Sequence, residues 1–141
     1  MSKVTLLMPK STPMELPLVT TKVPAGFPSP AEEYLGDSLD LNNYLIKNPS
    51  TTFFARVEGD SMVGKGIMAG DVLVIDRSLE PRHGDVVVAI LNGELTVKTL
   101  HTKHNVKLVS ENPEYPDISI NGDMELRVWG VATHTIGHLR S

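Results

Sequence analysis

Residues 85–102 have the sequence DVVVAILNGELTVKTLHT, and this stretch decides the fold class. Its two halves are rich in β-branched residues, which favour strands, and Asn92-Gly93 separates them. Asn-Gly readily takes the positive φ angles that a two-residue type I′ turn requires. The stretch therefore predicts an antiparallel β-hairpin.

Similar short runs continue on both sides of this hairpin from Thr51 onward, separated by Gly, Asn, Pro and Asp. This pattern is typical of strands and their turns, and it predicts a mostly β, single domain of short antiparallel strands. Gly-Asp recurs without a fixed period, so it marks the boundaries between loops and strands and not a repeat. The other candidate strands are residues 52–57, 71–76, 106–109, 118–120 and 125–136.

The first 30 residues differ from the rest because they contain six of the ten prolines. Proline removes a backbone donor and fixes φ, so we expect an extended N-terminal arm here and not a helix or a central strand. Apolar residues at helical spacing between Leu39 and Ile46 predict one short helix. Ser38 or Asp40 could cap its start, and Pro49 could close its end.

The composition limits the possible functions. A chain of 141 residues suits one compact domain, and the absence of cysteine excludes disulfides and thiolate metal sites. The longest apolar run, residues 86–91, is far shorter than the roughly 20 residues of a bilayer span, so no membrane segment is expected. The net charge of -4 argues against charge-driven DNA binding. Any link to DNA is expected to run through a partner.

Ser61 and Lys98 are the two candidates for chemistry. Ser61 follows Gly59-Asp60 directly after a strand, so the backbone amides of Asp60 and Ser61 could point to one oxyanion. Lys98 lies in the second hairpin strand, where both faces are partly apolar, and burial would lower its pKa toward that of a general base. Each has a structural alternative: a serine in an ordinary turn, and a lysine that reaches solvent from a sheet edge.

Other catalytic patterns do not fit. Val63 occupies the second glycine position of G-x-S-x-G, so Ser61 is not in a nucleophile elbow. His83 lies in a polar turn between strands and is expected at the surface. Phosphate-binding and dinucleotide-binding motifs are absent, so no cofactor is predicted. Two other histidine pairs have no clustered carboxylates and predict no metal site: His101 with His104, and His134 with His138.

Four motifs follow one another along the chain: GDSM at 59–62, GIMAGDVLVIDR at 66–77, HGDVVVA at 83–89 and GELTVKTL at 93–100. In order and interval they resemble the LexA/UmuD family of self-cleaving proteins, and the resemblance covers about residues 17–136. The chain is too short to add the DNA-binding domain of a repressor, and its first 24 residues have no helix-turn-helix pattern. The UmuD-like branch is therefore favoured over the repressor branch.

The resemblance implies roles for individual residues. Ser61 would be the nucleophile and Lys98 the general base, while the amides of Asp60 and Ser61 would hold the oxyanion. The bond cut would be Ala25–Gly26 of the chain itself. This alanine differs from the UmuD branch, which has cysteine at that position.

Self-cleavage would divide the chain into two parts. Residues 1–25 would be an extended arm that is removed, and residues 26–141 would be the LexA/UmuD-like peptidase domain. The arm contains three lysines and one glutamate, so its loss would leave a more acidic product. Such a product is still less suited to direct DNA binding.

The resemblance also implies a biological context. The protein would be a homodimer in the bacterial cytoplasm, and a RecA filament on single-stranded DNA would stimulate its cleavage. Its product would join a Y-family DNA polymerase subunit in SOS mutagenesis and translesion synthesis. Two alternatives stay open: a dimeric binding or regulatory module of the same fold that does not cut, and a Ser-Lys peptidase that acts on other chains.

Overall fold

The computed structural model describes residues 3–7, 13–19, 25–26 and 35–140. The chain divides into two compact units, one from residues 1–9 and 48–141 and the other from residues 10–47. The described part of the first unit contains an eight-stranded antiparallel sheet, and that of the second contains a two-stranded antiparallel sheet and a short helix. The predicted mostly β class is confirmed.

The strands of the large sheet lie in the order β1-β4-β5-β10-β6-β7-β8-β9, and β2 pairs with β3 in the small sheet. The strand bounds are β1 Lys3–Leu7, β2 Glu15–Val19, β3 Leu35–Asp40, β4 Thr52–Glu58, β5 Val72–Asp76, β6 Val86–Leu91, β7 Glu94–His101, β8 Lys107–Val109, β9 Ile118–Ser119 and β10 Leu126–Ile136.

The hairpin predicted at residues 85–102 is confirmed as β6 and β7. Leu91 lies opposite Glu94 in the ladder, so Asn92 and Gly93 alone form the turn. Their φ angles of 49° and 83° are both positive, as a type I′ turn requires. The local chemistry of this turn therefore sets the register of the whole hairpin.

The short helix predicted after Ser38 is also confirmed, as α1 Leu41–Leu45. Its N-cap is Asp40, whose side chain accepts a hydrogen bond from the Asn42 N–H at 3.0 Å. The expected end at Pro49 is wrong, because α1 ends before Ile46 and Pro49 instead begins a 3-10 helix, Pro49–Thr51. Proline fits the first position of such a helix because that position needs no backbone donor.

The strands of the arm were not predicted individually. Pro17 lies within β2, opposite Ser38 of β3, in a sheet of only two strands. Each strand there is an edge, and an edge tolerates a residue without a backbone donor. The arm prediction also covers residues 1–2, 8–12, 20–24 and 27–30, which lie outside the described residues.

The core of the large sheet consists of two clusters of buried apolar side chains, which pack around β5, β6, β7 and β10. Gly130 of β10 lets this strand approach β5 closely, because a Cβ at Gly130 would lie 2.5 Å from Ile75 Cγ2. The clusters are Ala55, Val57, Met62, Ile67, Leu73, Ile75, Val88 and Val97, and Val87, Ala89, Leu100, Leu108 and Val131.

Strand β1 covers the outer edge of β4 in an antiparallel ladder that runs from Lys3–Glu58 to Leu7–Phe54. On the other side of β4, the Val57 N–H donates to the Asp71 carbonyl at 2.9 Å. Backbone groups alternate between the two sides of a strand, so the neighbouring amides of β4 face β1. These amides belong to Phe54, Arg56 and Glu58.

Deletion of residues 1–9 is expected to free these three amides. Hydrogen exchange measured by NMR should accelerate there by at least about tenfold, because each amide loses a ladder hydrogen bond. The amides of Ala55 and Val57 face β5 and are the internal control, since their exchange should stay slow. If the deletion changes the exchange rate of none of the five amides, the pairing of β1 with β4 would be contradicted.

Candidate active site

Ser61 lies in a tight turn directly after β4. The preceding Gly59 has a φ of 87°, a conformation that favours glycine, and it turns the chain out of the strand. The following Met62 is only 1% exposed and anchors the turn in the core. A 3-10 helix, Val63–Lys65, comes next. Ser61 is thus fixed between a glycine turn and a buried methionine, and it is itself buried.

Lys98 lies in the middle of β7 and is only 2% exposed. Alternation along the strand places it on the same face as Thr96 and Leu100, and Val87 of β6 lies opposite it in the ladder. The expectation that a partly apolar sheet would bury this lysine is confirmed. The alternative, a lysine that reaches solvent from a sheet edge, is wrong because almost none of Lys98 is accessible to solvent.

The structure brings the two predicted residues together. Lys98 Nζ lies 3.1 Å from Ser61 Oγ and also donates to the Val97 carbonyl at 3.1 Å. Burial lowers the pKa of Lys98, because a charged ammonium loses its hydration there. A neutral amine has one lone pair, and at this distance the lone pair can accept the proton of the Ser61 hydroxyl.

Some buried hydroxyls around β7, the strand that carries Lys98, have no hydrogen-bond partner among the described residues. The hydroxyl of Thr96, two residues away on the same face, is buried without a hydrogen-bond partner among the described residues. The hydroxyls of Thr99 and Ser110 are also buried, and neither has a hydrogen-bond partner among the described residues. Sequence reasoning missed these three groups, because strand alternation alone does not say which hydroxyls find a partner.

A second loop contacts the turn that carries Ser61, and sequence reasoning missed this contact as well. The side-chain amide of Asn112 donates to the Asp60 carbonyl at 2.9 Å. The Tyr115 hydroxyl donates to the Asp60 carboxylate at 2.6 Å, and this hydrogen bond raises the pKa of Tyr115. The only signal in the sequence is the Asn112-Pro113 pair, which is typical of a turn.

The other predicted site residues lie elsewhere. Ala25 and Gly26 are exposed in a bend of the second unit. His83 is exposed, as expected for a polar turn, and its Nδ1 accepts the Thr102 N–H at 2.9 Å. In the described part of the chain, no three His, Asp or Glu side chains are placed to hold a metal ion. No helix in those ranges is both long and apolar enough to cross a bilayer.

A serine hydroxyl beside a buried lysine amine is typical of hydrolases that activate a hydroxyl nucleophile with a nearby base. Residues 17–133 match the family described as Peptidase S24-like. The protein is therefore in the class of self-cleaving serine peptidases. The chain belongs to this peptidase family, in which its relatives place it among the UmuD-like members.

Three bacterial relatives illustrate this similarity. The chain is 44% identical to Protein SamA of Salmonella typhimurium, over 96% of each protein. It is 43% identical to Protein ImpA of Escherichia coli, over 88% of the chain and 85% of that relative. The identity to Protein MucA of Escherichia coli is also 43%, over 86% of the chain and 84% of that relative. The resemblance predicted from four motifs therefore extends over most of the chain.

Proposed function

We propose that this protein cuts its own Ala25–Gly26 bond, with Ser61 as the nucleophile and Lys98 as the general base, and that the product acts in SOS mutagenesis. The observation that supports this most strongly is the 3.1 Å contact between Ser61 Oγ and the amine of Lys98, a residue that is 2% exposed. A lysine becomes a base near neutral pH only when its pKa is lowered, and burial lowers it here. A lysine with a merely structural role has no need of a serine hydroxyl at this distance.

The reaction follows from this pair. Neutral Lys98 takes the Ser61 proton, and Ser61 Oγ attacks the carbonyl carbon of Ala25. The oxyanion then collapses, the C–N bond to Gly26 breaks, and the Lys98 ammonium returns its proton to the leaving amine of Gly26. The Ala25 ester on Ser61 is hydrolysed by water, which gives one proton to Lys98, and that proton goes back to Ser61 Oγ. The products are a carboxylate at Ala25 and a free amine at Gly26.

The oxyanion is assigned to the backbone amides of Asp60 and Ser61. Both precede the anchored Met62, so their positions are set by the turn and not by side-chain rotamers. Backbone donors that are fixed before the reaction need no reorganisation when charge develops, which makes them effective in this role. The cut bond suits a narrow site, since Ala25 and Gly26 are both small and exposed.

The partners follow from the family. In this proposal a RecA filament on single-stranded DNA favours the conformation in which the Ala25–Gly26 segment reaches Ser61, and it acts as a population shifter and not as a catalyst. The product, residues 26–141, would be a homodimer that joins a Y-family DNA polymerase subunit in the bacterial cytoplasm. The net charge of -4 supports contact with DNA through these proteins and not directly.

Incubation of the purified protein at alkaline pH tests the proposal. We expect a new fragment with Gly26 at its N-terminus, which intact-mass and N-terminal analysis identify together. The same cut is expected at neutral pH when RecA and single-stranded DNA are added. A folded protein that stays intact under both conditions would contradict the proposal and support a binding module that does not cut.

A further inference from the structure

The loop from Glu111 to Tyr115 is tied to the turn that carries Ser61 by side chains and by backbone. In addition to the two hydrogen bonds on Asp60, the Gly64 N–H donates to the Glu111 carbonyl at 2.7 Å. The contact is close, because a Cβ at Gly64 would lie 2.6 Å from that carbonyl oxygen. The loop thus contacts the turn on both sides of Ser61.

Asn112 differs from a similar residue in the next turn. The Asn112 side-chain oxygen accepts the Glu114 N–H, and its backbone carbonyl accepts the Tyr115 N–H. Asn121 makes the same two bonds to the residues two and three positions after it. Both asparagines therefore shape a turn in the same way. Asn112 alone of the two also donates its side-chain amide to Asp60.

The geometry points to Asn112 and Tyr115 as positioning residues for the self-cleavage reaction, through their hydrogen bonds to Asp60. The Asp60 carbonyl and the Ser61 N–H belong to one planar trans peptide unit, so they point in opposite directions. The Asp60 carbonyl also accepts the Val63 N–H at 3.4 Å, so Asn112 supplies the shorter of its two hydrogen bonds and helps to set the direction of the Ser61 N–H. Tyr115 holds the side chain of the same residue and prevents the peptide unit from rotating.

The hydrogen bonds from Asn112 and Tyr115 to Asp60 matter because the turn that carries Ser61 begins at a glycine. Gly59, with its positive φ, adopts more conformations than any other residue would, so the Asp60–Ser61 peptide has a flexible neighbour on one side. A misplacement of about 1 Å at a reacting group can lower a rate by roughly 10²-fold. The inference rests on the proposed function, because the Ser61 N–H is there assigned to the oxyanion.

Two variants of the full-length protein test the inference in the alkaline self-cleavage assay. Asn112→Asp keeps the acceptor for the Glu114 N–H but removes the donor to Asp60, and it is expected to lower the maximal rate by roughly 10- to 100-fold. Tyr115→Phe removes only the hydroxyl and introduces no charge, and a loss of about 3- to 10-fold is expected. Asn121→Asp is the matched control and should cleave at the wild-type rate.

The pH profile separates positioning from a general loosening of the fold. A positioning role lowers the plateau rate and, in Tyr115→Phe, which adds no charge near Lys98, leaves the midpoint of the profile unchanged. An unchanged plateau in Tyr115→Phe and in folded Asn112→Asp would overturn the inference, as would a shifted midpoint in Tyr115→Phe or an equal loss of rate in Asn121→Asp. If Asn112→Asp is unfolded by circular dichroism, Tyr115→Phe alone decides. Wild-type protein that never cuts would instead refute the proposed function.

Discussion

Ser61→Ala and Lys98→Ala are each expected to lower the rate of release of the Gly26 fragment by at least about 10³-fold, which in practice would leave the chain intact. Ser61→Ala removes the hydroxyl that lies 3.1 Å from the amine of Lys98. Lys98→Ala removes the proposed base, and a serine hydroxyl without a base is a weak nucleophile. Quantitative intact-mass analysis over a time course at alkaline pH measures both rates.

Matched controls make this result specific. Ser119→Ala and Lys103→Ala change the same residue types at exposed positions of the large sheet and its loops, and both should cleave normally. Lys98→Ala leaves a cavity in the core, so Lys98→Met is the better test of chemistry because it retains most of the volume. Circular dichroism confirms the fold of each variant. Normal processing by Ser61→Ala or by Lys98→Met would overturn the assignment of the pair.

Local chemistry explains why the hairpin was predictable. Asn92-Gly93 determines a two-residue turn, and the turn determines the register of both flanking strands. Pairing between distant segments has no such signal. β1 meets β4 through residues such as Lys3 and Glu58, which lie far apart in the sequence, and the prolines of the arm gave no indication of this contact.

The candidate site was predictable in one part only. Strand alternation correctly indicated a lysine between partly apolar faces, yet the proximity of Lys98 to Ser61 came from the resemblance and not from the pattern. Asn112 and Tyr115 could not be found from the sequence. Their contacts depend on a loop that packs against Asp60 across more than fifty residues of chain, and a turn-forming Asn-Pro pair gives no indication of which surface its loop will meet.

The rate of self-cleavage is expected to rise with pH. Burial lowers the pKa of Lys98 from its ordinary value of 10.5, and only the neutral amine accepts the Ser61 proton. Below the lowered pKa, each unit of pH makes the neutral form about tenfold more abundant, so the rate should rise by about tenfold per unit. Above it the rate should reach a plateau, at a pH below 10.5. Cleavage time courses in matched buffers between pH 6 and pH 10 measure the profile.

The same pKa determines how stability depends on pH, which provides an independent measurement. The unfolded chain keeps the ordinary lysine pKa, so between the lowered value and 10.5 the unfolded state binds more protons than the folded state. This lysine therefore makes the free energy of unfolding increase as pH rises through that window, and Lys98→Met should remove its contribution. Denaturant unfolding of Ser61→Ala, with and without Lys98→Met, avoids interference from cleavage. A flat cleavage profile together with identical stability curves would show that Lys98 is not the titrating base.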